Sequence, residues 1–94
     1  MNSTALKTNF GTLTGSRAAW SAELTEDGSS AISAISYENN TIVVTFRNGR
    51  EYEYAADEAT VNSFYDELIE VMDGQGSIGK LVSQALRNNQ LQLV

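Results

Sequence analysis

Four clusters of this chain carry residue types that could do chemistry. Gly74-Gln75-Gly76-Ser77-Ile78-Gly79 matches the GxGxxG dinucleotide fingerprint. With Lys80 it falls one residue short of the phosphate-binding GxxxxGK[ST] pattern, because Leu81 takes the hydroxyl place. Both patterns work only where a strand feeds the loop inside a parallel βαβ unit. Here the loop follows an amphipathic helical stretch, so its glycines read as a turn between two helices. A helix N-terminus beside Lys80 can still attract an anion. Asp73-Gly74-Gln75-Gly76-Ser77 offers one carboxylate, where a calcium loop needs several. Glu51 and Glu53 are two residues apart on a strand, about 7 Å by strand rise. Paired carboxylates at such a separation serve glycoside hydrolysis, but only with a cleft that raises one pKa. Nothing nearby supplies one, and solvated strand residues are the simpler reading.

The fourth cluster is Tyr52 and Tyr54, flanked by Arg47 and Arg50. Exposed together they would form a stacking platform for single-stranded bases. Turned inward they are packing residues with hydroxyls at the rim. Strand register decides between the two. Thr41 to Arg47 is rich in β-branched and aromatic types, with Ile42, Val44 and Phe46 on one face at period two. Asn48-Gly49 then signals a hairpin. A two-residue type I′ loop pairs Thr45 with Tyr52 and puts both tyrosines on the face away from Phe46. A three-residue loop with a glycine bulge pairs Val44 with Tyr52 and Ile42 with Tyr54, gathering the apolar residues on one face. The bulged loop is preferred because the alternative buries Glu51 and Glu53 against Phe46 and Val44.

Outward from the tyrosines, Ser33 to Tyr37 reads as a preceding strand. Asn39-Asn40 reads as its two-residue turn, placing Glu38 opposite Thr41, Tyr37 opposite Ile42 and Ile35 opposite Val44. Downstream, Asp57 can cap a helix with an apolar stripe of Val61, Phe64, Tyr65, Leu68, Val71 and Met72. Asp66, Glu70 and Asp73 share another face, a solvated acidic stripe or a docking site for a basic partner. Gly74 ends this helix. Ser77 caps a second one bearing Ile78, Leu81, Val82, Ala85 and Leu86. Leu91-Gln92-Leu93-Val94 is a short alternating tail suited to a sheet edge. The fold expected is α+β: a three-stranded antiparallel β-meander with two C-terminal helices packed on one face.

Residues 1–29 read as an N-terminal arm or extension, and 30–94 as the domain. Within the arm, Trp20, Ala22 and Leu24 fit one face of a strand, while Ser16 to Leu24 fits a capped two-turn helix equally well. The arm is either ordered against a partner or a flexible tail whose tryptophan patches the core, with Thr25 to Ser29 as a linker.

The run Ile32, Ile35, Tyr37, Ile42-Val43-Val44-Thr45-Phe46, Asn48-Gly49-Arg50 and Tyr52-Glu53-Tyr54 resembles the KTSC domain. This short module is named from the C-terminus of some lysyl-tRNA synthetases, and it also occurs alone in small bacterial and phage proteins. Its tyrosine-x-tyrosine is matched by Tyr52 and Tyr54, and Ser77-Ile78-Gly79-Lys80 resembles its later serine-x-glycine element. The likeness covers about residues 30–86. It departs at Leu81-Val82, where an aromatic pair is expected, and at Ala56-Asp57, which replace valine-proline. It implies a fold and, through the RNA binding suggested for the family, a nucleic-acid partner.

Composition narrows the chemistry further. The 94 residues contain no cysteine and no histidine. That removes disulfides, thiolate nucleophiles, Ser-His-Asp triads and imidazole metal sites. The net charge is −6, and six of the twelve acids fall after residue 56 against only Lys80 and Arg87. Such a field repels phosphate and disfavours nucleic acid. No apolar run spans a bilayer. No secretory signal opens the chain, so the cytoplasm is expected, or a virion for a viral source. The sequence is therefore read as a small non-enzymatic interaction module, without cofactor or metal, that self-associates as a homo-oligomer or binds a protein through the arm or the acidic helix. The alternative is an accessory RNA or single-stranded nucleic-acid binder using Arg47, Arg50, Tyr52, Tyr54 and Lys80.

Overall fold

The computed structural model describes residues 4–94. They form one antiparallel sheet of seven strands in chain order, with two helices on one face. The strands are β1 (Thr4–Thr8), β2 (Gly11–Ser16), β3 (Ala19–Leu24), β4 (Ile32–Glu38), β5 (Thr41–Phe46), β6 (Glu51–Ala56) and β7 (Leu91–Leu93). The helices α1 (Glu58–Met72) and α2 (Ile78–Arg87) lie between β6 and β7 in the chain.

The expected three-stranded meander is therefore corrected to seven strands. Its three strands are β4, β5 and β6 within the larger sheet. Three more come from the segment read as an arm, and β7 closes the other side. Residues 4–24 build β1 to β3, and β3 pairs with β4 through Trp20–Tyr37, Ser21–Ser36, Ala22–Ile35 and Glu23–Ala34. The strand alternative for residues 16–24 holds, with Trp20, Ala22 and Leu24 all buried on one face.

Local chemistry explains each connection. Asn39 and Asn40 take φ of 53° and 64°. That is the left-handed pair that a type I′ turn needs, and Glu38 pairs with Thr41 as expected. Ile32 and Ile35 are both buried although three apart. A bulge shifts the register between Ile32 and Ala34, and Ser33 is the extra residue. After β5, Arg47-Asn48-Gly49 forms the three-residue loop. Phe46 donates to the Arg50 carbonyl at 2.7 Å, and Gly49 donates to the Phe46 carbonyl at 2.9 Å. Gly49 has φ of 94°. Val44 accordingly faces Tyr52, and Ile42 faces Tyr54.

The core lies between the sheet and the helices. Leu13, Trp20, Leu24, Ile35, Ile42 and Val44 meet Phe64, Leu68 and Met72 of α1 and Ile78, Val82 and Ala85 of α2. Asp57 caps α1 by accepting from the Thr60 N–H at 2.8 Å. Ser77 caps α2 by accepting from the Lys80 N–H at 3.2 Å. Each cap satisfies a donor that the first helical turn leaves open. Hydrogen bonds from Thr60, its side chain first and its backbone second, hold the Asp57 carboxyl below its usual range. The opposite face of the sheet carries Thr12, Thr14, Ser21, Ser36, Thr41 and Thr45. No element covers that face among the described residues.

Candidate functional site

The five residues singled out from the sequence do not come together as a binding platform. Tyr54 is only 6% exposed and belongs to the core. Its burial, together with the neighbouring Tyr52, raises its phenol pKa above the ordinary value. Tyr52 is half-buried, packed edge-on to Phe46 with ring centroids 5.7 Å apart and tilted 6.4 Å from Tyr54. The tyrosine-x-tyrosine thus packs inward, as the bulged register implies.

Arg47 is also turned inward. Its Nη2 donates toward the carbonyl oxygens of Leu24 at 3.1 Å, Ser29 at 2.8 Å and Ile32 at 3.0 Å. Its backbone N–H adds a bond to the Ala31 carbonyl at 2.8 Å. The guanidinium therefore fastens the β3–β4 connection to the β5–β6 hairpin. Sequence reasoning could not find this role, because the acceptors are backbone carbonyls 15 to 23 residues earlier in the chain. Arg50 is exposed at the hairpin tip, where its N–H is taken by Asn48 Oδ1 at 2.9 Å. Lys80 is exposed on α2, on a different element from the tyrosines.

The glycine-rich loop connects helix to helix, with Gly74 and Gly76 at φ of 83° and 73°. The anion-attracting end of α2 already has an occupant. Glu67 Oε2 accepts from the Ser77 N–H at 2.7 Å, and a β-carbon on Gly76 would overlap that same oxygen. An internal carboxylate sits where a phosphate would need to approach. Glu51 and Glu53 are exposed on the bare face, Glu51 accepting from the Thr45 hydroxyl at 3.3 Å.

A cleft of about 740 Å³ runs between residues 26–32 and α2. Glu26 and Asp27 stand at one side and Lys80 and Leu86 at the other, with Ile32 and Phe46 also lining it. Two of its serines are already committed: Ser29 Oγ accepts from the Ile32 N–H, and Ser77 Oγ from the Lys80 N–H. The cleft has charge on both sides.

An aromatic cluster escaped the sequence reading altogether. Trp20 lies 5.9 Å from Tyr37 and 6.2 Å from Tyr65, centroid to centroid. Arg17 stacks 4.8 Å over the Tyr65 ring and forms an ion pair with Asp66. A guanidinium over a ring face is attracted by the ring quadrupole. Here it joins the β2–β3 turn to α1.

The two open edges of the sheet are the remaining feature. Beside β1, Leu6 is 41% exposed and Ile69 of α1 is 40% exposed. At β7, Leu93 is 67% and Val94 77% exposed, with Leu86 of α2 at 39%. Among the described residues, no strand pairs with the outer side of either β1 or β7. Nor is any described helix long and apolar enough to cross a membrane.

No family model, curated protein or solved structure matches this chain.

Proposed function

We propose that this chain is a small non-enzymatic interaction module that associates with copies of itself through its sheet edges. One observation carries the reading: among the described residues both edge strands are open, and exposed aliphatic side chains border each of them. An open edge is a row of unpaired N–H and C=O groups that templates another strand, and chains that stay monomeric blunt it with very short edge strands, charge, proline, a bulge or a covering element; β7 is only three residues long, so β1, with five, is the longer template. β7 contains no charged residue, and the chain contains no proline. Lys7, the one charge on β1, lies opposite Thr12, on the face away from Leu6 and Leu13. No described strand takes up the outward backbone groups of β1, and Leu6 and Ile69 stand beside them.

The nucleic-acid alternative draws less from the geometry. Arg47 and Tyr54 are engaged inside the protein. The net charge of −6 opposes phosphate. Light scattering on a size-exclusion column at micromolar concentration tests self-association. The expected mass is a multiple of 10.2 kDa, and a single 10.2 kDa species would refute the proposal.

A further inference from the structure

The cleft between residues 26–31 and α2 exists because its walls are built from small residues. Gly28, Ser29 and Ala31 stand on one side, Gly79 and Ser83 on the other. A β-carbon on Gly79 would meet nothing closer than Ser29 Oγ at 4.0 Å, so position 79 opens directly onto the space. The floor is apolar. Ile32 and Val82 are buried, Phe46 is half-buried, and Leu86 reaches the rim. The volume of about 740 Å³ falls within the range of about 300–1,000 Å³ found for small-molecule sites, which likewise join an apolar lining to a few polar groups.

The two rims carry opposite charges. Glu26 and Asp27 are exposed on the loop side, and Lys80 is exposed on the helix side. Among the described residues the one ion pair joins Arg17 to Asp66, so Lys80 is not closed onto either carboxylate across the cleft. An anionic ligand would meet Glu26 and Asp27, and a cationic one would meet Lys80. Such like-charge encounters are unfavourable. A neutral apolar ligand would fill the floor and leave both rims unused. A molecule with an ammonium, a carboxylate and an apolar body meets every part of the cleft with its complement.

We infer that this cleft binds a small apolar zwitterion, an α-amino acid or short peptide with free termini. Its ammonium lies toward Glu26 and Asp27, its carboxylate toward Lys80, and its side chain on Ile32, Phe46, Val82 and Leu86. Exposed charge pairs contribute little each, so the apolar floor holds the ligand while the charged rims orient it and select it. This goes beyond self-association through the sheet edges and does not depend on it, because no residue of β1 or β7 lines the cleft.

Backbone amide-shift titrations with L-leucine and L-leucyl-L-leucine test the inference. Saturable shifts are expected at residues 26–32 and 79–86, and the tighter of the two probes tells a free amino acid from a peptide as the source. Blocking the dipeptide's ammonium by N-acetylation, or its carboxylate by amidation, is expected to weaken binding severalfold. In Lys80→Met the free acid and the amide are expected to bind alike, while N-acetylation still weakens. Gly79→Leu fills the cleft and is expected to abolish the shifts, with a thermal melt verifying that it folds. The inference is overturned if neither zwitterion gives saturable shifts in the cleft at millimolar concentration. It is also overturned if capping either end leaves affinity unchanged, or if folded Gly79→Leu binds as wild type does. Should Gly79→Leu not fold, Lys80→Met decides: an undiminished penalty for amidation in that variant overturns the assignment. Light scattering of the same samples reads self-association separately, so either proposal can fail while the other stands.

Discussion

Arg47 Nη2 lies 2.8 Å from the carbonyl oxygen of Ser29, 18 residues earlier in the chain, and this contact makes residues 25–31 part of the fold's frame. The same nitrogen reaches Leu24 and Ile32, so one side chain serves three carbonyls at the junction of β3, the following connection and β4. Replacing Arg47 with Met keeps the aliphatic stem but leaves those carbonyls without their charged donor. A hydrogen-bonded charge in such a place contributes about 1.5–3 kcal/mol. Urea unfolding of Arg47→Met is therefore expected to show a loss of about 2–3 kcal/mol. The exposed Arg50→Ala should stay within about 0.5 kcal/mol of wild type. Equal, small effects at both positions would show that Arg47 is a surface residue after all.

Tyr54 tests the hairpin register. It faces Ile42 across the β5–β6 pair and is buried. Truncation to Ala should cost about 3–5 kcal/mol, in the range for deleting a buried aromatic. That is a large share of the roughly 5–15 kcal/mol typical of a folded domain. Tyr54→Phe keeps the ring and should cost about 1 kcal/mol or less. The phenol also gives the protein an alkaline limb. Its folded pKa is raised by burial first and by Tyr52 second, so the folded state holds the proton more tightly than the unfolded chain does. The stabilisation is fully present below the unfolded value of about 10. It is lost as pH rises from there through the folded value. Melting curves taken from neutral pH to about pH 11, past the unfolded phenol value, should decline less steeply for Tyr54→Phe than for wild type. Parallel declines would remove Tyr54 as the cause.

The middle of the sheet was legible because its signals are local. Asn39-Asn40 and Asn48-Gly49 each supply positive φ, and the alternation of Ile42, Val44 and Phe46 marks which face turns inward. The caps Asp57 and Ser77 stand at the expected positions. The apolar stripe of α1 is also as expected, while Leu86 of α2, expected inside, is partly exposed. The first three strands were not legible as a sheet. Their turns, Asn9-Phe10 and Arg17-Ala18, carry no glycine between the paired ends. The glycines sit instead within β2, where Gly11 and Gly15 lie too close to the backbone of β3 to carry a β-carbon. Threonines and serines fill the bare face, so few strong hydrophobic positions mark the strands. The cluster of Trp20, Tyr37, Tyr65 and Arg17, and the bond from Ser77 to Glu67, join residues distant in sequence. Only the folded chain brings them together.

Gly28 shows how firmly the first hairpin is seated. Thr25 N–H donates to the Phe10 carbonyl at 3.1 Å, and a β-carbon on Gly28 would overlap that same carbonyl oxygen. The Phe10 ring in turn comes to 3.0 Å from where a β-carbon would stand on Gly74, at the end of α1. The β1–β2 turn is therefore wedged between the β3–β4 connection and the turn joining the helices. Gly28→Ala pushes backbone against backbone, which no rotamer change can relieve. Overpacking of this kind costs about 1–3 kcal/mol. A thermal melt of Gly28→Ala is expected to shift down by several degrees, as for a small domain losing that much stability. Were residues 1–29 a loose arm, the same substitution would fall in a flexible linker and leave the melting temperature unchanged. An unshifted melt would therefore refute the seven-stranded arrangement at its N-terminal hairpin.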